Sequence, residues 1–334
     1  MNRAVLEALR KRAGEWIAPA DLAAEALDSP AEVERAVEEL RAEGYLISRR
    51  RGGKVRFAGC GDRLIAHEIT RDLKSKVIGR QVTVLERVTS TNDAAWQQAL
   101  TGAPEGTVIF AEEQTAGRGR MGRQWISPPR SGLLFSVVLR PELEVRQSNL
   151  LTVVSAVAVA EALQEGLGIH ARIRWPNDIT VRDRKVAGIL VEGRSLATGS
   201  AFVLGIGVNV RVRARDFPPE LRETATSLAA ETGTPPERND LAGRLLASLD
   251  RWYGDLRLGD YGHIARRWRR NSSTLGERVL LLENGREFRG RVLDLSLEDG
   301  LIVRLDEGVT RTFHPSTVTL RQMPERRRDR ANAL

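Results

Sequence analysis

Cysteine is nearly absent from this chain: among 334 residues there is one, Cys60. A single thiol excludes a disulfide within the chain and any zinc site built on cysteines. Histidine is almost as scarce, at four residues, too few for a histidine-rich metal centre. No run of about 18 or more apolar residues stands out, so no membrane-spanning helix is expected. The first residues, Met1-Asn2-Arg3-Ala4, carry no apolar signal core, and the cytoplasm is the expected compartment. Internal repeats and long low-complexity segments are missing too.

What is present is the composition of an ordinary globular protein, 41% hydrophobic and 29% charged. The length allows about two or three domains. Net charge is +8, from 52 Lys and Arg against 44 Asp and Glu, which suits anionic partners: nucleotides, nucleic acid or an acidic protein. Part of the excess sits at the end of the chain, where Arg321, Arg326, Arg327, Arg328 and Arg330 face only Glu325 and Asp329. Such an end reads as a solvated basic tail over 324–334.

Residues 1–60 read as three helices and a hairpin. Val5, Leu6 and Leu9 make one apolar face at helical spacing, and Leu22, Ala23, Ala26 and Leu27 another. Ser29, Pro30 and Glu32 form a helix start, and Gly44 a stop. Strands at Tyr45–Ser48 and Val55–Phe57 flank a basic turn, Arg49-Arg50-Arg51-Gly52-Gly53-Lys54. This is the pattern of a winged helix-turn-helix domain. Gly59-Cys60-Gly61-Asp62 marks a boundary, and a bridging helix is expected over about Leu64–Leu73.

From 61 to 270 strands and helices alternate, as in an α/β or α+β layer. Strands are expected at Val82–Val88, Thr107–Ala111, Leu133–Leu139, Arg172–Trp175, Ile179–Val181, Lys185–Glu192 and Phe202–Val210, with a buried helix at Leu150–Leu163 and an amphipathic one at Leu241–Tyr253. Over 271–323 the short strands Val279–Leu282, Glu287–Leu295, Leu301–Leu305 and Thr310–Phe313, joined at Glu283-Asn284-Gly285 and Glu298-Asp299-Gly300, suggest a small SH3-like β-barrel.

Within this frame, Gly117-Arg118-Gly119-Arg120-Met121-Gly122-Arg123-Gln124-Trp125 carries the most information. Glycine lets backbone approach a ligand, and arginine offers a charged planar fork for carboxylate or phosphate. An exposed basic loop that touches nucleic acid is the plainer reading. Ser90-Thr91-Asn92 can cap the following helix or bond a polar ligand edge. Trp175-Pro176-Asn177-Asp178 followed by Lys185 and Gly188-Ile189-Leu190 reads as an Asx-type turn with a surface lysine, or as a cation at a pocket edge. Gly205-Ile206-Gly207-Val208-Asn209 permits close approach of a ligand to a strand, or marks a bulge.

Taken in order with Gln114, these segments resemble the biotin–protein ligase family in its bifunctional, BirA-type form, a biotin–[acetyl-CoA-carboxylase] ligase that is also the biotin operon repressor. The resemblance covers nearly the whole chain. It implies an α+β protein: a winged helix-turn-helix, a central mixed α/β catalytic domain of class II synthetase type, and the SH3-like domain. It assigns biotin to Ser90, Thr91, Asn92, Gln114, Arg118, Gly119, Arg120, Lys185 and Gly188. It places Arg120, Arg123, Trp125, Lys185 and Asn209 by ATP and the adenylate, and gives Asp178 the acceptor lysine or Mg2+. The implied chemistry joins biotin to ATP as biotinyl-AMP, then moves biotin to a lysine of the biotin carboxyl carrier protein. Arg118, Arg120 and Lys185 suit this chemistry because two anions must be brought together. A loop closing over the labile anhydride would exclude water. Relatives can dimerise once the adenylate forms, so a homodimer is part of the expectation; a membrane is not.

The first domain departs from the pattern. Between Ala31 and Glu43 five glutamates face only Arg35 and Arg41, although phosphate neutralisation dominates DNA affinity. Pro30 stands where the repressor form usually has a polar or basic contact. Arg35, Arg49, Arg50, Arg51 and Lys54 are the candidate contacts to operator DNA. Met121 and Gln124 also depart, where relatives often have a basic residue. Two other readings remain open: a lipoate or octanoate transferase on the same fold, whose members generally lack the Gly-Arg loop, and a metabolite-sensing DNA-binding regulator without catalysis.

Overall fold

The computed structural model describes residues 2–197 and 199–322. The basic tail expected over 324–334 lies outside them. The chain divides into two compact units, one of Met1–Ile69 with Glu237–Asn239, the other of the remainder.

The first unit opens with helices α1 (Arg3–Lys11), α2 (Pro19–Ala26) and α3 (Pro30–Glu43), followed by strands β1 (Ile47–Arg49) and β2 (Val55–Phe57). The start of α3 follows from its sequence. The Ser29 hydroxyl accepts from the Glu32 N–H at 3.3 Å, Pro30 takes the first turn, and Gly44 closes the helix in the left-handed region at φ 111°. Leu6, Leu9, Leu22, Val33, Val37 and Leu40 turn inward onto Val55 and Phe57. Ile17, between α1 and α2, exchanges backbone hydrogen bonds of 2.9 Å with Val55 and so ties the hairpin to the helices. The bridging helix is shorter than expected: α4 spans only Ala66–Thr70, with Thr70 in the second unit. Its buried Glu68 accepts from the Tyr45 hydroxyl at 2.6 Å and pairs with Arg10.

The second unit is built on a seven-stranded sheet. Its elements are β3 (Gln81–Val88), α5 (Thr91–Leu100), β4 (Thr107–Gln114), β5 (Gly132–Leu139), α6 (Ser148–Leu167), β6 (Ala171–Arg174), β7 (Asp178–Val181), β8 (Arg184–Leu196) and β9 (Gly199–Asn209). Strand order is β3-β4-β5-β9-β8-β7-β6; β3 and β4 run parallel, and every other neighbouring pair is antiparallel. Every residue of β5 is buried, the mark of a central strand covered on both faces. Helix α5 packs on β4, β5 and β9, and α6 on β6, β7 and β8.

Helix α6 is the buried helix expected at Leu150–Leu163. By length and composition the stretch Val145–Leu167 is apolar enough to cross a membrane, yet 72% of its apolar window is buried within the protein. The chain then forms α7 (Leu228–Thr232), α8 (Arg238–Arg257) and α9 (Tyr261–Asn271). Helix α9 packs on α6, with Ile264 and Trp268 buried, and was not foreseen in the sequence.

An antiparallel sheet completes the unit: β10 (Arg278–Glu283), β11 (Arg286–Ser296), β12 (Gly300–Leu305), β13 (Thr310–Phe313) and β14 (Val318–Gln322), in the order β13-β12-β11-β10-β14. Four of these strands match the sequence reading. The fifth, β14, pairs with β10 and was missed.

Candidate active site

One cavity of about 330 Å³ in the second unit gathers every residue that the sequence assigned to biotin, ATP and catalysis. Ser90, Thr91, Asn92, Gln114, Arg118, Gly119, Arg120, Arg123, Trp125, Asp178, Lys185, Gly188 and Asn209 all line it. The strands β3, β4, β7, β8 and β9 bring them together, because the connections and strand ends that carry them meet at one end of the sheet.

At the start of α5, Ser90 does cap the helix, its hydroxyl accepting from the Asn92 N–H at 3.3 Å. Thr91 donates to Gln114 Oε1 from its backbone at 2.7 Å and from its hydroxyl at 3.0 Å. The Ser136 hydroxyl, from the middle of β5, lies 2.7 Å from Thr91 Oγ1 and 2.6 Å from Asn92 Oδ1. Asn92 lines the cavity, and with its oxygen engaged its buried amide Nδ2 is left without a partner among the described residues. A buried donor left unmatched in this way suits a ligand oxygen.

The Gly-Arg segment is a narrow hairpin rather than an open loop. Trp125 N–H donates to Gly117 O at 3.0 Å, and Gly119 N–H to Arg123 O at 2.7 Å. Met121 at the tip holds a left-handed φ of 55°. Arg118 reaches Asp93 at 2.8 Å and Glu192 at 3.2 Å. Partial burial pulls its guanidinium pKa down, but the hydrogen bond to Asp93 and the charge of Glu192 leave it raised. Arg120 is the opposite case. Burial holds its pKa below the ordinary value; Asp178 offsets part of that, and the charge of Arg123 lowers it further. Arg120 donates to Asn177 Oδ1 at 3.4 Å and to the carbonyl of Pro315.

Lys185, on β8, pairs with Asp178 on β7 at 2.5 Å and sits 5.5 Å from the ring centre of Trp125. The Trp125 ring lies against bare backbone. A Cβ on Gly207 would stand 2.5 Å from Trp125 Cε2, and one on Gly188 would stand 2.9 Å from Cζ3. A Cβ on Gly205 would come within 2.2 Å of Asn92 Oδ1. The alternating glycines of β9 thus make room for two cavity side chains. Trp125 Nε1 is buried and has no partner among the described residues. Asn209 donates its Nδ2 to Thr226 O at 3.0 Å.

Several contributors were not foreseen. Asp93 and Glu192 hold Arg118; a lone hydroxyl in the apolar run of β5 was the available signal for Ser136. Val318, Thr319 and Leu320 of β14 supply a further wall, and Thr319 Oγ1 lies 3.2 Å from Met121 Sδ. The candidate DNA contacts lie in the first unit: Arg35 on α3, and Arg49, Arg50, Arg51 and Lys54 on and after β1. Arg49 pairs with Glu38 at 2.9 Å, and the Trp16 ring lies 5.1 Å from the Arg50 guanidinium and 4.9 Å from that of Arg56.

Known proteins resemble this chain in sequence and fold. Residues 84–209 match the biotin/lipoate A/B protein ligase family. The chain is 33% identical over 278 residues to the bifunctional ligase/repressor BirA of Bacillus subtilis, covering 83% of this chain and 86% of that one. It is 33% identical over 245 residues to the biotin–[acetyl-CoA-carboxylase] ligase of Mycobacterium tuberculosis, covering 70% of this chain and 89% of the other. Among solved structures, the biotin protein ligase from Aquifex aeolicus in complex with biotin and ATP superposes with a TM-score of 0.63 at 29% identity, covering 73% of this chain and 100% of that one.

Proposed function

The chain belongs to the biotin/lipoate A/B protein ligase family and is a biotin protein ligase with biotin and ATP as substrates, and we propose that the cavity residues divide its chemistry as follows. The biotin end is the pocket of Ser90, Thr91, Asn92 and Gln114, where the unmatched Asn92 amide offers a donor to a polar ligand edge. Arg123, Trp125 and Asn209 line the nucleotide end. Gly119 keeps its backbone partly exposed on the hairpin, and Gly188 makes room for the Trp125 ring and Lys185.

In the first step the biotin carboxylate attacks the α-phosphorus of ATP, the bond to the bridging oxygen breaks, and pyrophosphate leaves. Negative charge meets negative charge, so preorganised cations set the rate. Arg118 carries two carboxylate partners, which outweigh its single charge, whereas Lys185 has one; the part of Arg118 is directional hydrogen bonding. Arg120 and Lys185 carry the positive field, with Asp178 holding Lys185 in place. Mg2+ fits as an ion carried by the triphosphate: no cluster of three metal-binding side chains exists among the described residues, and Asp178 is the cavity carboxylate it would meet. There it would shield phosphate charge.

In the second step a neutral lysine amine of the carrier attacks the acyl carbon, and AMP leaves with the bonding electrons. Asp178 orients that amine and the biotin carboxyl carrier protein supplies it. The relatives' names favour ligation over a purely sensory regulator or a lipoate or octanoate transferase.

The observation that carries this reading is the convergence of all thirteen assigned residues on one cavity. Incubation with biotin, labelled ATP and a carrier domain tests it: pyrophosphate release and labelled carrier are expected, and neither would appear if the cavity serves another ligand.

A second role rests on the first unit. Three helices with a basic hairpin support a winged helix-turn-helix over 1–60 that binds operator DNA, with 61–270 catalytic and 271–323 a small SH3-like domain. A cytoplasmic enzyme that forms homodimers on binding its adenylate would complete a biotin-responsive repressor. A mobility-shift assay on the chain's own promoter, with and without biotinyl-AMP, decides it.

A further inference from the structure

Glu231 comes shortly after the 224–225 stretch that lines the cavity, and its side chain is enclosed, 1% exposed. It lies on α7, outside every segment that the sequence singled out. One carboxylate oxygen accepts from Arg184 at 2.5 Å and from the Thr226 hydroxyl at 2.6 Å; the other, buried and without a hydrogen-bond partner among the described residues, lies 3.7 Å from Arg182, so the determined geometry rests on the first oxygen. Each partner leads to the site. Arg184 directly precedes Lys185. Thr226 donates its N–H to Lys185 O at 2.8 Å and offers its own carbonyl to Asn209 Nδ2 at 3.0 Å. Lys185 N–H in turn donates to Thr224 O at 2.7 Å. Residues 224–226 therefore run beside Lys185 as a short parallel pairing, and the wall they continue, with Phe217 and Leu221, faces the cavity.

A buried carboxylate persists only when it is paired and hydrogen-bonded, so its geometry is strongly determined. Here that determination passes to two strands at once. We propose that Glu231 is a positioning residue of the ligase reaction: by holding Arg184 and Thr226 together it sets Lys185 and Asn209 against the nucleotide, without touching substrate itself. The inference rests on the assignment of Lys185 and Asn209 to ATP.

The test is steady-state kinetics of full-length Glu231→Gln and Thr226→Val, with Glu161→Gln as a matched control. Glu161 is also a buried carboxylate, bound to Trp252 at 3.1 Å and to Arg251 at 3.2 Å, but it does not line the cavity. Loss of a buried charged hydrogen bond predicts a rise in KM for ATP of about tenfold or more for Glu231→Gln. KM for biotin should rise less than KM for ATP, because of the residues assigned to biotin only Lys185 depends on Glu231, and the pocket of Ser90, Thr91, Asn92 and Gln114 has its own hydrogen bonds. Thr226→Val should give a smaller shift of the same kind, and Glu161→Gln should lower Tm without separating the two constants. If Lys185→Ala and Asn209→Ala raise KM for ATP but Glu231→Gln and Thr226→Val do not, the positioning role is overturned and the site assignment stands. If none of the four changes it, the underlying assignment is wrong. If Glu231→Gln fails to fold, Thr226→Val alone decides the matter.

Discussion

Lys185 Nζ lies 2.5 Å from Asp178 Oδ1, across the antiparallel pairing of β8 and β7. In the proposed division of roles the lysine supplies charge for adenylation, and the carboxylate fixes it until a second amine arrives. Lys185→Ala should therefore lower kcat/KM for pyrophosphate release by about a hundredfold or more. Asp178→Asn should slow carrier labelling more than pyrophosphate release. Equal slowing of both steps by Asp178→Asn would remove the orienting role.

Gly205 and Gly207 of β9 lie at the two proposed ends of the cavity. Gly205→Ala would push a methyl group into Asn92, and Gly207→Ala would push one into Trp125. The first is expected to raise KM for biotin and the second KM for ATP, each by about tenfold, as expected for displaced polar or packing partners. Isothermal titration with each ligand separately reads this out; the reversed pattern would exchange the two ends.

Removal of Mg2+ with EDTA should abolish formation of biotinyl-AMP. Transfer from synthetic biotinyl-AMP to the carrier should continue at near its full rate, because the second step no longer carries a triphosphate. Loss of both half-reactions would point to an ion held by the protein.

On the hairpin, replacing Arg50, Arg51 and Lys54 together by Ala should weaken promoter binding and reduce its salt slope by about three, since each phosphate that is no longer neutralised lowers the slope by roughly one. Arg35→Ala should change affinity less, because five glutamates surround it on α3. Ligase activity should be unaffected by either change. Binding that depends on Arg35 and ignores the hairpin would make α3 the reading element despite its acidity.

His67 titrates below its ordinary pKa of 6.5, through burial first and the nearby Arg10 second. Folded protein then holds fewer protons than unfolded protein between that lower value and 6.5. This group's stability contribution is therefore present above 6.5 and is lost as pH falls toward the folded value. Urea unfolding between pH 7 and 5 should show this decline, and His67→Gln should flatten it.

The sequence disclosed those parts whose chemistry is local. Ser29 and Gly44 bracket α3 by capping alone, and the run Leu133–Leu139, read as a strand, is the buried β5. The cavity was legible because its ligand groups cluster in short motifs with unusual composition. What was hidden depends on interactions between distant segments. Asp93 and Glu192 are ordinary surface acids until the sheet brings both to Arg118. Strand β14 carries alternating residues too few to separate from the tail, and its place beside β10 comes from sheet closure. Helix α9, rich in arginine, shows its apolar stripe through only Ile264 and Trp268 among the buried residues. Met121 was read as a departure, yet its φ of 55° makes it a turn residue beside Thr319.

Helix α6 has no side to spare. Residues 153–163 are buried without a break, so no stripe along it meets water. Most helices tolerate polar replacements every three or four positions, and a saturation scan of such a helix shows that rhythm. Along α6 the rhythm should vanish, and polar replacement of each apolar residue from Val153 to Leu163 should be costly, as should loss of the hydrogen-bonded Ser155 and Glu161. A random library of this protein would therefore show an eleven-residue blank in its accepted changes, placed well away from the chemistry.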